Sequence, residues 1–223
     1  MIEQDVKHVC DLIAARRQAG ARMIVAIAGP PASGKSTLAE AVVQSLNTDQ
    51  GSGIPQATLV PMDGYHLDNR VLEARGLLAK KGAPETFDAV GFCNAIATLQ
   101  SAQHEVFHPK FDRQMDLAIA NAIAVHPETP IVVVEGNYLL MDSDPWNALA
   151  DVFALTVFVS PTLEELENRL QQRWIKHGLD PVTALQRATG NDLPNAELVL
   201  GKSRKADLVL NQNYTEFGVR YAF

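Results

Sequence analysis

Apolar residues recur along the chain with two different periods, and these divide it into alternating helices and buried strands. Ile2, Val6, Val9 and Ile13 fall at helical spacing and Gly20 follows, so residues 2–19 are expected to form an amphipathic helix on the outside of the domain. Met23 to Ala28 is an unbroken apolar run suited to a strand covered on both faces, and a Gly/Pro cluster leads from it into a helical stretch from Ser36 to Leu46. After a polar, Gly-rich loop over 47–56, residues 57–62 predict a second strand ending at Asp63. Residues 64–87 read as irregular, 88–102 as helical, and 104–126 as a mixed region with no clear strand pattern. Ile131 to Glu135 and Phe153 to Val159 are β-branched or aromatic runs expected at the centre of a sheet. A charged helix opened by Pro161 is expected over 161–177, a second between Pro181 and Ala188, and a last strand over 206–210.

Strands separated by helices predict a three-layer α/β fold: a mostly parallel sheet of about five strands with helices on both faces. Ligands in such sheets bind beyond the carboxyl ends of the strands. The chain of 223 residues, 47% apolar and 20% charged, suits one compact domain. Its net charge of -7 argues against nucleic acid or an anionic membrane as partner, since both select a basic face. Cys10 and Cys93 stand far apart, outside any metal or CxxC spacing, and are expected as reduced core thiols. The first twenty residues mix acids and bases without the apolar run of a leader or span, so a cytoplasmic location is expected.

Candidate chemistry begins with Gly29-Pro-Pro-Ala32-Ser33-Gly34-Lys35-Ser36-Thr37, a GxxxxGK[ST] pattern lying between an expected strand and helix. Glycines at this spacing let backbone N–H groups turn inward around phosphates, where the positive end of the helix dipole adds its attraction. Lys35 would reach the β and γ phosphates of ATP, Ser36 would offer its hydroxyl to Mg²⁺, and Thr37 would stand behind it. Two acids end strands. Glu135, before Gly136, would sit beside the phosphate loop and the metal, and Asp63, before Gly64, is the candidate base for a hydroxyl that attacks the γ-phosphate. Either acid could instead be a helix cap or turn residue; their joint occurrence with the phosphate loop favours chemistry.

The pieces GPPASGKST, PMDGYH, GLLAKKGAPETFD (76–88), VVVEGNYLL (132–140) and the tail around Lys202 to Asp207 resemble the kinase group that includes phosphoribulokinase, uridine kinase and bacterial type I pantothenate kinase. A narrower likeness is to bacterial nucleoside/nucleotide kinase family proteins that include fructose-transport-system kinases, carried by MDGYHLDN, KGAPETFD, PKFDR and VVVEGNYLL. The resemblance spans nearly the whole chain and implies a P-loop NTPase fold with ATP and Mg²⁺ as cofactors. It also implies a base at Asp63, a metal-linked acid at Glu135 and a lid helix carrying arginines near Arg169 and Arg173. A homodimer is common in this group. The chain departs from pantothenate kinase in being shorter and in having Val106 to Arg113 where that family has a Tyr-rich acceptor segment.

One domain is therefore expected over 1–223, with an acceptor-binding insert at about 64–126 and a lid at about 161–190. Tyr65, His66, Asn69, Arg70 and Lys81 should form one side of the acceptor wall, with His108, Lys110 and Arg113 on the other and Asn137 beside Glu135. Arg113 or Lys81 could hold a carboxylate or phosphate of the acceptor, while His108 is expected more as a satisfied core or surface imidazole. The expected activity is ATP-dependent phosphorylation of a hydroxyl on a small metabolite, with fructose, a pantothenate-like acid and a nucleoside as candidate acceptors. The rival from another class is a P-loop switch or ATPase; the chain lacks an Asn-Lys-x-Asp guanine-reading motif and carries an acceptor wall that a switch would not need.

Overall fold

The structure is a computed structural model that describes residues 2–48, 53–176 and 178–211. Strands β1 (Met23–Ala28), β2 (Ala57–Pro61), β5 (Ile131–Gly136), β6 (Leu155–Val159) and β7 (Leu208–Leu210) form one five-stranded sheet in the order β2-β5-β1-β6-β7, every pair parallel. Alternation along β1 builds the layers. Met23, Val25 and Ile27 face a core shared with Val9 and Ile13 of α1 (Ile2–Arg16) and with Leu38 and Val42 of α2 (Lys35–Leu46). Ile24, Ala26 and Ala28 face a second core shared with Phe92 and Ile96 of α4 (Ala89–Thr98), Tyr138, Trp146 and Val199 of α7 (Leu193–Lys202). The expected three-layer P-loop NTPase fold is thus present.

The chain leaves β1 toward β2 on one side and leaves β5 toward β6 on the other, so the crevice between β1 and β5 is the switch point where such sheets bind ligands. Register brings the relevant ends level: Ala28 pairs with Gly136, and Pro61 with Glu135.

The stretch 104–126, unassigned from sequence, is an antiparallel hairpin of β3 (Val106–Asp112) and β4 (Leu117–Val125) standing apart from the main sheet. Its register slips between His108 and Lys110, at Pro109, which has no N–H for the ladder. The irregular stretch after Asp63 holds a one-turn 3-10 helix, Met62–Tyr65, and the short α3 (Asn69–Ala74) capped by Asp68. The charged helix α5 (Leu163–Lys176) begins later than its Pro161 suggests, because Thr162 is the cap: its carbonyl accepts from Leu166 and its hydroxyl from Glu165. Helix α6 (Pro181–Arg187) passes through a π-turn at Ala188–Asp192 into α7. Residue 177, the end of the expected α5, lies outside the described residues. No helix among the described residues is long and apolar enough to cross a membrane. Both cysteines are free thiols, Cys93 buried and Cys10 half-buried.

Gly64 locks the hairpin to the sheet edge. A Cβ there would stand 2.2 Å from the carbonyl oxygen of Pro109, a backbone atom that cannot swing aside. Gly64→Ala is expected to cost about 2–3 kcal/mol, seen as a fall of roughly 5–10 °C in melting temperature, with acceptor-dependent activity lost as the hairpin moves off.

Candidate active site

The phosphate loop leaves β1 through a passage that only glycine fits: a Cβ on Gly29 would meet the Val159 carbonyl at 2.5 Å and Ser33 Oγ at 2.8 Å. Ala32 and Gly34 then take left-handed φ of 61° and 92°, which curls the chain before α2 starts at Lys35. Ser33 is fully buried inside the curl, while Ser36 and Thr37 at the helix start are half-buried. Arg169 of α5 holds the loop from outside: Nη1 donates to the carbonyls of Ala32 and Ser33, 3.2 Å each, and Nη2 donates to Glu165. Because a trans peptide points its C=O and N–H in opposite directions, drawing the Ser33 carbonyl outward turns the Gly34 N–H inward. Arg169 therefore shapes the cradle. The guanidinium of Arg173 lies 6.0 Å from the Trp174 ring and close enough to Lys35 to lower its pKa.

Two charged groups are buried where β1 and β5 end. Glu135 is 4% exposed, its Oε2 has no partner, and the Ser36 hydroxyl lies close enough to favour its charged form. Burial pushes the Glu135 carboxyl well up, with Lys35 opposing the shift and Asp63 adding to it. Lys35 is pushed down by burial, while Glu135 and Asp63 pull it back toward its ordinary value. A buried, unpartnered carboxylate oxygen beside a serine hydroxyl is the hard-oxygen donor set that suits Mg²⁺. Among the described residues no three His, Cys, Asp or Glu side chains gather as a complete metal cage. Next to Glu135, the Oδ1 of Asn137 is also buried without a partner.

Asp63 sits in the 3-10 turn that follows β2, and Arg113, reaching back from the end of β3, donates to its Oδ2 at 3.3 Å. His66 ends the same turn. Its Nδ1–H donates to the Asp63 carbonyl at 2.8 Å, and its ring lies between those of Phe87 and Phe111, with centroids 4.0 and 4.8 Å away. Burial lowers the His66 pKa, so the ring is neutral at pH 7 with Nε2 as a hydrogen-bond acceptor.

Several expected wall residues are used differently. Arg70 is directed to solvent, its side chain 90% exposed and paired with Asp68, so it does not line the site. The Tyr65 hydroxyl is taken by His108 Nδ1 at 2.8 Å, which makes this pair a tie between the turn and the hairpin and leaves no free hydroxyl. Lys81 is not available to an anion: its ammonium donates to Asn69 Oδ1 at 2.7 Å and to Asp116 Oδ1 at 2.7 Å and carbonyl at 3.0 Å. Lys110 is exposed. Asp116, at the hairpin tip, was invisible to sequence reasoning because its partners lie far away in the chain. The same is true of Arg187 and Asp192, which meet Trp174 from α6 and the π-turn: Arg187 lies 5.3 Å from the ring and Asp192 accepts from Nε1 at 2.7 Å.

His108 is fully buried and burial pushes it down to about 4. Its folded pKa lies below the ordinary value of 6.5, so as pH falls the unfolded chain takes up the proton first. The stability that neutral His108 protects is complete above about pH 6.5, declines between 6.5 and 4, and is smaller by roughly 2 kcal/mol at pH 5. Urea melts at pH 7.5 and pH 5 should show this part of the acid loss in the parent chain and not in His108→Gln; equal losses in both would contradict it.

Comparison with known proteins agrees with this geometry. Residues 24–211 match the phosphoribulokinase / uridine kinase family. A crystal structure from Silicibacter sp. TM1040, described as a "putative fructose transport system kinase", is 43% identical over 92% of this chain and 98% of that one, with a TM-score of 0.84. YggC of Escherichia coli (strain K12) is 36% identical over 91% of this chain and 81% of its own length. A pantothenate kinase of Streptomyces coelicolor is 31% identical over 71% of this chain, which spans about half (50%) of that longer protein. With its phosphate loop intact and a carboxylate at each neighbouring strand end, this chain belongs to the phosphoribulokinase / uridine kinase family, P-loop kinases that move phosphate from ATP to a hydroxyl of a small molecule.

Proposed function

We propose that this chain phosphorylates a hydroxyl of a small polyhydroxylated metabolite, a sugar such as fructose, using Asp63 as the base. The observation that carries the reading is that Asp63 stands close enough to Lys35 and Glu135, at the end of the β1/β5 crevice, to act on the charge of both. The inward N–H groups of the phosphate loop and Lys35 would hold the β and γ phosphates, and Arg173 would add positive charge from the lid side. Mg²⁺, when bound by Ser36 and the waters around Glu135, would supply further positive charge against the phosphate oxygens. Asp63, aimed by Arg113, would take the proton from the acceptor hydroxyl as the new O–P bond forms. Helices α5 to α7 would act as the lid, tied to the loop through Arg169 and to the acceptor side through Asn191, whose Nδ2 donates to the Lys81 carbonyl at 3.0 Å. Residues 62–125 would present the acceptor, with His66 and Phe111 as part of the floor. The similarity to the Silicibacter protein, named for fructose transport, supports a sugar first.

The test is acceptor-dependent ADP release with Mg-ATP and a panel of fructose, other hexoses, pantothenate and ribonucleosides. A hexose that raises ADP release far above background supports the reading; a response confined to pantothenate or a nucleoside replaces the sugar with that acceptor.

A further inference from the structure

Lys81 and Asp116 bear on which acceptors can enter, and the inference rests on the kinase reading above. An ammonium has three N–H donors. Those of Lys81 are matched by three acceptors inside the chain, Asn69 Oδ1 and the Oδ1 and carbonyl of Asp116, while its charge sits 4.9 Å from the centroid of Phe111. The cation is thus satisfied and neutralised before any ligand arrives. Asp116 is in the opposite position. Its Oδ1 accepts from Lys81 and its Oδ2 from Asn69 at 2.8 Å, which fixes the carboxylate plane and leaves a lone pair on each oxygen; the side chain is 53% exposed. His66 feels the charges of both Asp63 and Asp116, which places this carboxylate within electrostatic reach of the ring that ends the Asp63 turn.

We infer that Asp116 is the specificity-determining residue of the acceptor site, its two oxygens accepting hydrogen bonds from neighbouring hydroxyls of an uncharged polyol. A carboxylate or phosphate at that end of the acceptor would meet the Asp116 charge with no free N–H from Lys81 to offset it. The site so built rejects acids by charge and accepts hydroxyls by geometry.

Asp116→Asn is the direct test. It keeps the shape, and Asn tolerates the left-handed φ of 52° that this turn position needs. It removes the negative charge, so that the Lys81 cation is no longer neutralised and attracts an anion. The assay is acceptor-dependent ADP release on matched neutral and acidic pairs: D-fructose with fructose 1-phosphate, pantothenol with pantothenate, glycerol with glycerate. The parent chain is expected to favour the neutral member of the pair it uses by at least about tenfold in kcat/KM. In Asp116→Asn the neutral-to-acidic ratio should fall at least about tenfold, and the double variant Asp116→Asn/Lys81→Met should lose the gained use of the acid. A parent chain that favours the acidic member, or a ratio that Asp116→Asn leaves unmoved while acceptor-dependent turnover persists, overturns the inference alone. No acceptor dependence with any pair, nor with the hexoses and ribonucleosides of the panel, would overturn the kinase reading and this inference with it; dependence on a ribonucleoside alone would overturn the inference only. Circular dichroism of each variant separates loss of fold from change of preference.

Discussion

Replacing Lys35 with methionine is expected to lower kcat/KM for ATP by on the order of 10²–10³-fold while the melting temperature holds or rises. The two effects have one cause. Lys35 is buried at the mouth of α2, and burial depresses its pKa because nothing in the ligand-free site fully repays its lost hydration. The same charge becomes favourable once triphosphate oxygens surround it. A methionine removes the unfavourable buried charge and keeps the volume, and Glu135, already pushed toward its neutral form, can take up a proton in place of its lost partner. Steady-state kinetics with thermal melts checks this. A variant that loses activity together with several degrees of stability would show Lys35 to be a folding residue.

Asp63→Asn should lower kcat by roughly 10²–10⁴-fold, with KM for ATP changed little. Asparagine fills the same space and can still meet Arg113, but its amide oxygen cannot take a proton from the acceptor hydroxyl at neutral pH. The contrast with Lys35 is diagnostic: in the proposed roles, one substitution would remove attraction for the nucleotide and the other a proton acceptor. A loss confined to KM for the acceptor would recast Asp63 as a binding group.

Much of the fold was legible because it is local. The runs 23–28 and 131–134 are buried on both faces, so their residues are apolar without interruption, and their ends mark where loops carry chemistry. The phosphate loop and Glu135 follow directly from those ends, and Asp63 from the end of the expected strand over 57–62. The hairpin was not legible. In Leu117–Val125 alternate positions are alanine and most of the strand is exposed, so no polar/apolar period appears, and Pro109 breaks the ladder of its partner strand. Wall residues were named by position, but their roles depend on contacts across the chain. Lys81 is consumed by Asp116, thirty-five positions away, and Tyr65 by His108, forty-three away. Arg70 was grouped with them by proximity in sequence alone, and one turn of α3 carries it to solvent. The family resemblance did mark Arg169 on its helix, and the structure adds what it could not: its partners are loop carbonyls.

The fate of the γ-phosphate tests the central claim most directly. Purified protein is incubated with Mg-ATP labelled in the γ-phosphate and with the best acceptor of the panel, and the products are separated. The account predicts label in a phosphomonoester of the acceptor, dependent on acceptor concentration and lost in Asp63→Asn. Label appearing as inorganic phosphate, at a rate indifferent to acceptor and to Asp63, would contradict it and identify an ATPase.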